Sequence, residues 1–256
     1  NYGHFTLVDN MSMTDERIRA VLITYQKDTV WYRRDIKGER AVAEGIVFPK
    51  FANNNEPYLY DEEKDPLVAR DAYGKLIHKP FKVTMGIDFG GNGSMTTFTL
   101  KLYFNRYHDL RTAEEDFLPL SDDIDADMIC KKYVEFYNRC RDKYERIDWV
   151  FPDSASTTMI NSLRSAAKKA GLPYQNIKGC RKNEISERPR TMDRLLNTGR
   201  IKINRKCEHL RKAIGSLKWD EDHPNQPEDK NIGNCNDWWD AECYTWLDFV
   251  EYVDLD

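Results

Sequence analysis

Two short β-like runs in this chain each end on an aspartate, and that pairing constrains the fold more than any other feature. Phe81-Lys82-Val83-Thr84-Met85-Gly86-Ile87-Asp88 leads into the tight turn Phe89-Gly90-Gly91-Asn92-Gly93. Met95 to Leu102 then alternates like the return strand of a hairpin. Ile147-Asp148-Trp149-Val150-Phe151 is a second short apolar strand, followed by Pro152-Asp153-Ser154. In open α/β sheets, ligand sites gather outside the carboxyl ends of strands. If the two strands are neighbours, Asp88 and Asp153 point into one crevice.

The sequence around these runs supplies helices. Thr14-Asp15-Glu16 opens a short helical pattern through Ile18, Val21, Leu22 and Tyr25. Asp125 to Tyr144 carries a helical period through Met128, Ile129, Tyr133, Phe136 and Tyr137. A loop, Asp71-Ala72-Tyr73-Gly74, leads toward the first aspartate-ended strand. After Asp153 the chain alternates. Thr157 to Ala170 reads as a helix stopped by Gly171, Tyr174 to Ile177 as a strand, and Glu184 to Asn197 as a helix that Pro189 kinks or delays. Gly199 to Ile203 is a brief strand, Arg205 to Ile214 a helix, Asp220 to Gly233 an exposed acidic loop, and Asn236 to Tyr252 a final Trp-rich helix. The pattern predicts an α/β chain, opened by a hairpin, with later strands joined through helices. Residues 1–57 read as a connecting segment that ends in the turn chemistry of Asn53-Asn54-Asn55-Glu56-Pro57. The first residues lack an initiator Met and the basic and apolar regions of a signal peptide, so the chain reads as an internal fragment.

Composition excludes some classes. No run approaches the roughly eighteen uninterrupted apolar residues of a transmembrane helix, so no membrane partner is expected. Aromatic residues at 12% are too many for a disordered chain. The cysteines at 130, 140, 180, 207, 235 and 243 form no CxxC pair and read as free thiols; Cys207, His209, Cys235 and Cys243 have poor spacing for zinc. The net charge of -4 argues against a free-standing nucleic-acid binder, but its distribution is uneven. Arg164 to Lys212 holds fifteen Lys or Arg against four Asp or Glu, while Ala213 to Asp256 holds two against twelve. The basic segment suits a phosphate backbone, or equally a helical face neutralised by the acidic stretch folding against it. Composition does not separate the two.

Asp237 and Asp240 lie three residues apart and share a face of the last helix. Together with Asp88 and Asp153 they offer hard oxygen ligands that suit Mg²⁺ or Mn²⁺ rather than zinc. Each has a plainer reading: a turn aspartate at 88, a helix cap at 153 or 237, an ion pair between Asp240 and Lys230 or the basic segment. Asp88 to Ser94 also resembles the first phosphate loop of sugar kinases and their actin-like relatives, although the second phosphate loop and the adenosine loop of that family are missing. No Walker A sequence is present.

Several further stretches fall in a familiar order. They are His4-Phe5-Thr6-Leu7-Val8-Asp9-Asn10, Gly38-Glu39, Ala43 to Phe51, Gly86-Ile87-Asp88-Phe89-Gly90 and Val150-Phe151-Pro152-Asp153-Ser154-Ala155. Lys182 follows, ahead of Ile185 and of Leu195 to Ile203, and then Lys230 with Asn236-Asp237-Trp238-Trp239-Asp240-Ala241-Glu242-Cys243-Tyr244. Their order over about 240 residues resembles the nuclease domain of large terminase subunits, the DNA-packaging motors of tailed bacteriophages. Two positions depart from that pattern. Asp237 stands where relatives usually have His, and Ala213 and Leu217 stand where they often have Glu and Tyr.

The resemblance implies a ribonuclease H-like mixed central β-sheet flanked by helices over residues 58–256, with residues 1–57 joining it to an ATPase domain. It implies a metal-dependent endonuclease that cleaves double-stranded viral DNA concatemers during packaging, by two-metal-ion phosphodiester hydrolysis with Mn²⁺ or Mg²⁺. Asp88, Asp153 and Asp240 are the expected catalytic residues, and Asp237 joins them as a metal ligand. Lys182, Arg181, Arg188, Arg190 and Arg194 are the expected DNA contacts. The portal protein and the small terminase subunit are the implied partners, and the cytoplasm of the infected bacterial host the implied location. A non-catalytic docking module of the packaging machine and an actin-like phosphotransferase are the alternatives.

Overall fold

Strand and helix periods sort most of the chain into a mixed sheet with helices on both faces. The structure, a computed structural model, describes residues 5–27, 29–39, 41, 45–90, 95–119, 124–182, 185–223, 225–228 and 235–253. The chain opens with α1 (Asp15–Thr24), where the Thr14 hydroxyl accepts the Arg17 N–H, and α2 (Pro49–Asn53), which begins on a proline. Next come β1 (Leu59–Tyr60) and a small hairpin of β2 (Ala69–Arg70) and β3 (Leu76–His78). The long strands β4 (Lys82–Asp88), β5 (Thr96–Phe104) and β6 (Asp109–Leu118) follow. After them run α3 (Ala126–Tyr144), β7 (Trp149–Pro152), α4 (Thr157–Lys169) and α5 (Glu187–Asn197). The chain closes with β8 (Ile201–Asn204), α6 (Glu208–Ser216), α7 (Cys235–Tyr244) and α8 (Val250–Val253).

Among the described residues the main sheet has six strands in the order β1-β8-β6-β5-β4-β7. β4, β5 and β6 pair antiparallel, while β7 runs parallel to β4, and β8 parallel to β6. This α/β arrangement is the ribonuclease H-like one that the resemblance implied. Strand alternation gives the sheet two cores. Val83, Met85 and Ile87 with Phe98, Leu100 and Leu102 pack toward α3 and α4. The opposite core is built from α5, α6 and α7. Residues ahead of β1 join that second core. Phe48 lies 5.4 Å from the Trp239 ring and Trp31 5.6 Å from Trp219, and the Val47 N–H donates to Leu217 O.

Several sequence expectations are corrected. Tyr174 to Ile177 is not a strand: the Ile177 N–H turns back to Tyr174 O, leaving a single parallel bridge to Val150. Asp71 to Gly74 is the turn of the β2–β3 hairpin, not a direct lead into β4. Pro189 sits in the first turn of α5, where its missing N–H costs no helical bond, and the helix starts at Glu187. α6 starts at Glu208, later than expected, where the Glu115 carboxylate accepts the His209 and Leu210 N–H groups. The final helix breaks at Tyr244. There the Thr245 hydroxyl folds back onto Glu242 O, and a 3-10 turn (Leu247–Phe249) separates α7 from α8. Strand β6 has no counterpart among the sequence expectations. Cys130, Cys140, Cys180, Cys207 and Cys243 are buried free thiols. Among the described residues no helix is long and apolar enough to cross a membrane.

Candidate active site

Helix α7 lies across β4 and β5 on a surface made of hydroxyls and one glycine. Thr97 Oγ1 donates to Asp237 O at 2.8 Å, Thr99 Oγ1 to Ala241 O at 2.9 Å, and Thr84 Oγ1 to Thr245 O at 2.8 Å. The accepting carbonyls are one helical turn apart, so the threonines grip α7 turn by turn. Tyr103 OH adds a second donor to Thr245 O. Beneath Ala241 is Gly86, where a Cβ would stand 1.9 Å from the Ala241 carbonyl oxygen. No side chain fits there, and its absence lets the helix backbone rest on the sheet. Next to Ala241, fully buried Glu242 is paired with fully buried Lys101, and both contact the Thr112 hydroxyl. The carboxylate and the ammonium compensate each other, which burial of either alone would not tolerate.

This seating brings four carboxylates to one end of the sheet. Ile87 pairs with Pro152, so Asp88 and Asp153 leave adjacent parallel strands at the same level, and the Asp153 N–H donates to Ile87 O at 2.9 Å. Asp88 lies opposite Thr97, whose hydroxyl holds the first turn of α7 with Asp237. Asp88 keeps some solvent contact, yet the protein packed around it raises its pKa well above the ordinary carboxylate value. Burial is the largest cause, followed by repulsion from Asp240, Asp237 and Asp153. Tyr244 donates a hydrogen bond that works the other way. Burial, then Asp240, Asp88 and Asp153, push the Tyr244 phenol up, keeping it protonated as a donor. Asp237 Oδ2 accepts the Met95 N–H at 3.0 Å. Asp153 Oδ1 accepts the Ala155 N–H at 3.0 Å, a local turn rather than a cap on α4.

Two cations enter this cluster. Lys182 Nζ lies 2.8 Å from Asp153 Oδ1, and Arg188 Nη1 lies 2.9 Å from Asp240 Oδ1. Asp153 overcomes partial burial and holds the Lys182 pKa above the ordinary lysine value. Asp240 therefore pairs with the basic segment; Lys230 lies outside the described residues. Among the described residues, no three Asp, Glu, His or Cys side chains are arranged to hold a metal as they stand. The chemistry of the set nevertheless fits a hard divalent cation: four carboxylates gather beside two protein cations, which pair with Asp153 and Asp240, while burial and then its three neighbours disfavour the charged form of Asp88.

The five expected DNA contacts separate. Lys182 and Arg181 are exposed, Lys182 meeting Asp153 and Arg181 reaching Glu251 at 2.9 Å. Arg190 turns away to Asp35 and Tyr25, and Arg194 is half-buried on the same helix. Arg188 is the correction: its side chain is only 4% exposed and lies under Asp240, too deep to meet a DNA phosphate. Lys178–Asp248, Arg181–Glu251 and Arg188–Asp240 also show the acidic C-terminal stretch folded against the basic segment. His209 Nδ1 lies 3.0 Å from Glu115 Oε1, and its ring stacks on Trp238. The phosphate-loop residues 91–94 lie outside the described residues.

Sequence reasoning assigned no role to Tyr244, to the threonine grip or to the Lys101–Glu242 pair. Signals existed for each. Tyr244 is four residues from Asp240 and so shares its helix face, and Thr97, Thr99 and Lys101 alternate with apolar residues along β5.

No protein-family model matches the chain. Among curated proteins, the large terminase subunit of Escherichia phage T5 is 22% identical over 217 residues, covering 85% of this chain and 44% of that one. Among solved structures, the large terminase of a thermophilic bacteriophage superposes with a TM-score of 0.68 at 20% identity, over 97% of this chain and 54% of that one. In fold, the chain is large-terminase-like. The large terminase nuclease domain of bacteriophage SPP1, solved with bound Mn, gives a TM-score of 0.46 at 18% identity, over 64% of this chain and 85% of that one. The terminase-like chain spans about half the length of the phage T5 and thermophilic-phage proteins it matches.

Proposed function

We propose that this chain is the nuclease part of a DNA-packaging large terminase and hydrolyses phosphodiester bonds of double-stranded DNA with two divalent cations, Mg²⁺ or Mn²⁺. One observation carries the reading: Asp88, Asp153, Asp237 and Asp240 converge at one end of the sheet with more negative charge than Lys182 and Arg188 neutralise. Asp88, Asp153 and Asp240 hold the ions, and Asp237, one of whose oxygens is engaged by the Met95 N–H, assists. Divalent cations supply such a site with activation of water and neutralisation of charge on the leaving oxygen. Tyr244 orients Asp88, and Arg188 orients Asp240. Lys182 and Arg181 on the rim, with Arg190 and Arg194 as secondary candidates, position the DNA backbone. Such contacts carry no sequence information, so cutting has weak sequence preference. In this reading residues 1–57 join the nuclease to an ATPase domain, the portal protein and small terminase subunit are partners, and the protein works in the cytoplasm of an infected bacterium.

The test is incubation of the chain with supercoiled plasmid in Mn²⁺, in Mg²⁺ and in EDTA, beside Asp88→Ala. Cleavage that needs metal and falls to background in folded Asp88→Ala is expected. Metal-dependent cleavage retained by that variant overturns the assignment. One observation favours a second reading, a non-catalytic docking module: two of the four carboxylates are already ion-paired within the protein. A folded chain that cuts in neither metal selects it.

A further inference from the structure

The two cations in the carboxylate cluster are held in opposite ways. The Arg188 side chain is 4% exposed and lies between α5 and α7, with its guanidinium on Asp240 and 5.9 Å from the Tyr244 ring centre. The Lys182 side chain is 50% exposed and reaches Asp153 from the rim. The backbone leading to Lys182 is fixed, because the Cys180 N–H donates to Pro152 O and the Arg181 N–H to Asp248 Oδ2, each at 2.8 Å. What can move is the flexible four-carbon arm with its compact ammonium group. Asp153 does not depend on that arm for its orientation, since its Oδ1 also accepts the Ala155 N–H.

We propose that Lys182 is a displaceable counter-ion: it competes with a divalent cation for Asp153, and the cation's arrival passes the ammonium group to a phosphate of the DNA backbone. This rests on the nuclease reading above and adds a coupling to it. An ammonium and a dication repel each other on one carboxylate, so binding of the ion releases the mobile partner and leaves buried Arg188 in place. The released ammonium stands on the exposed rim beside Arg181, where a phosphodiester oxygen is the complementary ligand. Metal and duplex then strengthen each other's binding by the same factor, as linkage requires.

The test measures binding, not cleavage. Mn²⁺ affinity of the 256-residue chain is measured by calorimetry or electron paramagnetic resonance for the wild type, Lys182→Met, Lys182→Arg and Asp88→Ala. Affinity for a short duplex is measured with and without Ca²⁺. Lys182→Met is expected to bind Mn²⁺ more tightly without DNA, by roughly fivefold or more, and to lose the metal-induced gain in duplex affinity. Lys182→Arg keeps the charge and stays near the wild type on both readouts. Thermal melting checks that each variant is folded, and Lys182→Gln repeats the measurement if Lys182→Met is not. Unchanged or weaker Mn²⁺ binding in the folded neutral variant overturns the counter-ion proposal while leaving the nuclease reading intact. Wild-type protein without Mn²⁺ binding that Asp88→Ala removes overturns both.

Discussion

The two faces of the central sheet come from the same strands and are built on opposite principles. Toward α3 and α4, β4 and β5 present Val83, Met85, Ile87, Phe98, Leu100 and Leu102, all fully buried. Toward α7 the alternate positions are Thr84, Gly86, Asp88, Thr97, Thr99, Lys101 and Tyr103. Apolar burial is non-directional: it holds a layer together but tolerates sliding by a fraction of a turn. Hydroxyl-to-carbonyl bonds spaced by one helical turn fix α7 to a single register. One face supplies cohesion. The other supplies position, and position is what a set of carboxylates gathered from β4, β7 and α7 requires.

Four substitutions probe this contrast, the largest effect first. Lys101→Met leaves Glu242 buried without its cation and should cost about 3–5 kcal/mol in denaturant unfolding, while the double variant Lys101→Met/Glu242→Met recovers most of that loss. A double variant no more stable than the single one would break the view that the pair is compensated. Leu100→Ala on the apolar face should cost about 2–5 kcal/mol yet leave the proposed metal-dependent cleavage per folded molecule unchanged. Lost cleavage in the folded protein would show that both faces set position.

Asp193 separates lone burial from clustered charge. It is buried on α5, away from the four carboxylates, and burial pushes its pKa up to about 7, with Lys50 opposing. An acid raised in the folded state loses stability as pH climbs from its unfolded value near 4, by up to about 1.4 kcal/mol per pH unit until about pH 7. Asp193→Asn should therefore gain stability at pH 8 and gain little at pH 4, with cleavage unchanged. An equal gain at both pH values would deny the raised pKa. The smallest effect belongs to Thr99→Val, which removes one donor to α7 and should cost about 1 kcal/mol in stability. A proportionally larger loss of cleavage would sharpen the positional role of the hydroxyl grip.

Much of this fold was legible because apolar periodicity writes it plainly. The strand from Lys82 to Asp88, its hairpin partner and the helix from Ala126 to Tyr144 lie within a residue or two of expectation. β6 escaped notice because Arg111, Glu114, Glu115 and Asp116 mask its alternation; the two glutamates and Asp116 pair with groups from α3 and α6 that are distant in sequence. The candidate carboxylates were legible from their places at strand ends and on one helix face. The partners of those carboxylates were not. That Arg188 lies beneath Asp240 rather than on the surface depends on how α5 packs against α7, which no local pattern encodes.

At Gly86 a conservative substitution does not exist. Any missense change at that codon, alanine included, adds the one atom for which Ala241 leaves no room. Elsewhere in the core a methylene can be exchanged for another at modest cost, so those positions can drift through many acceptable letters. This one has a single letter, imposed by a carbonyl more than a hundred and fifty residues away in the chain. Any lineage that keeps helix α7 seated here inherits that restriction two residues ahead of Asp88.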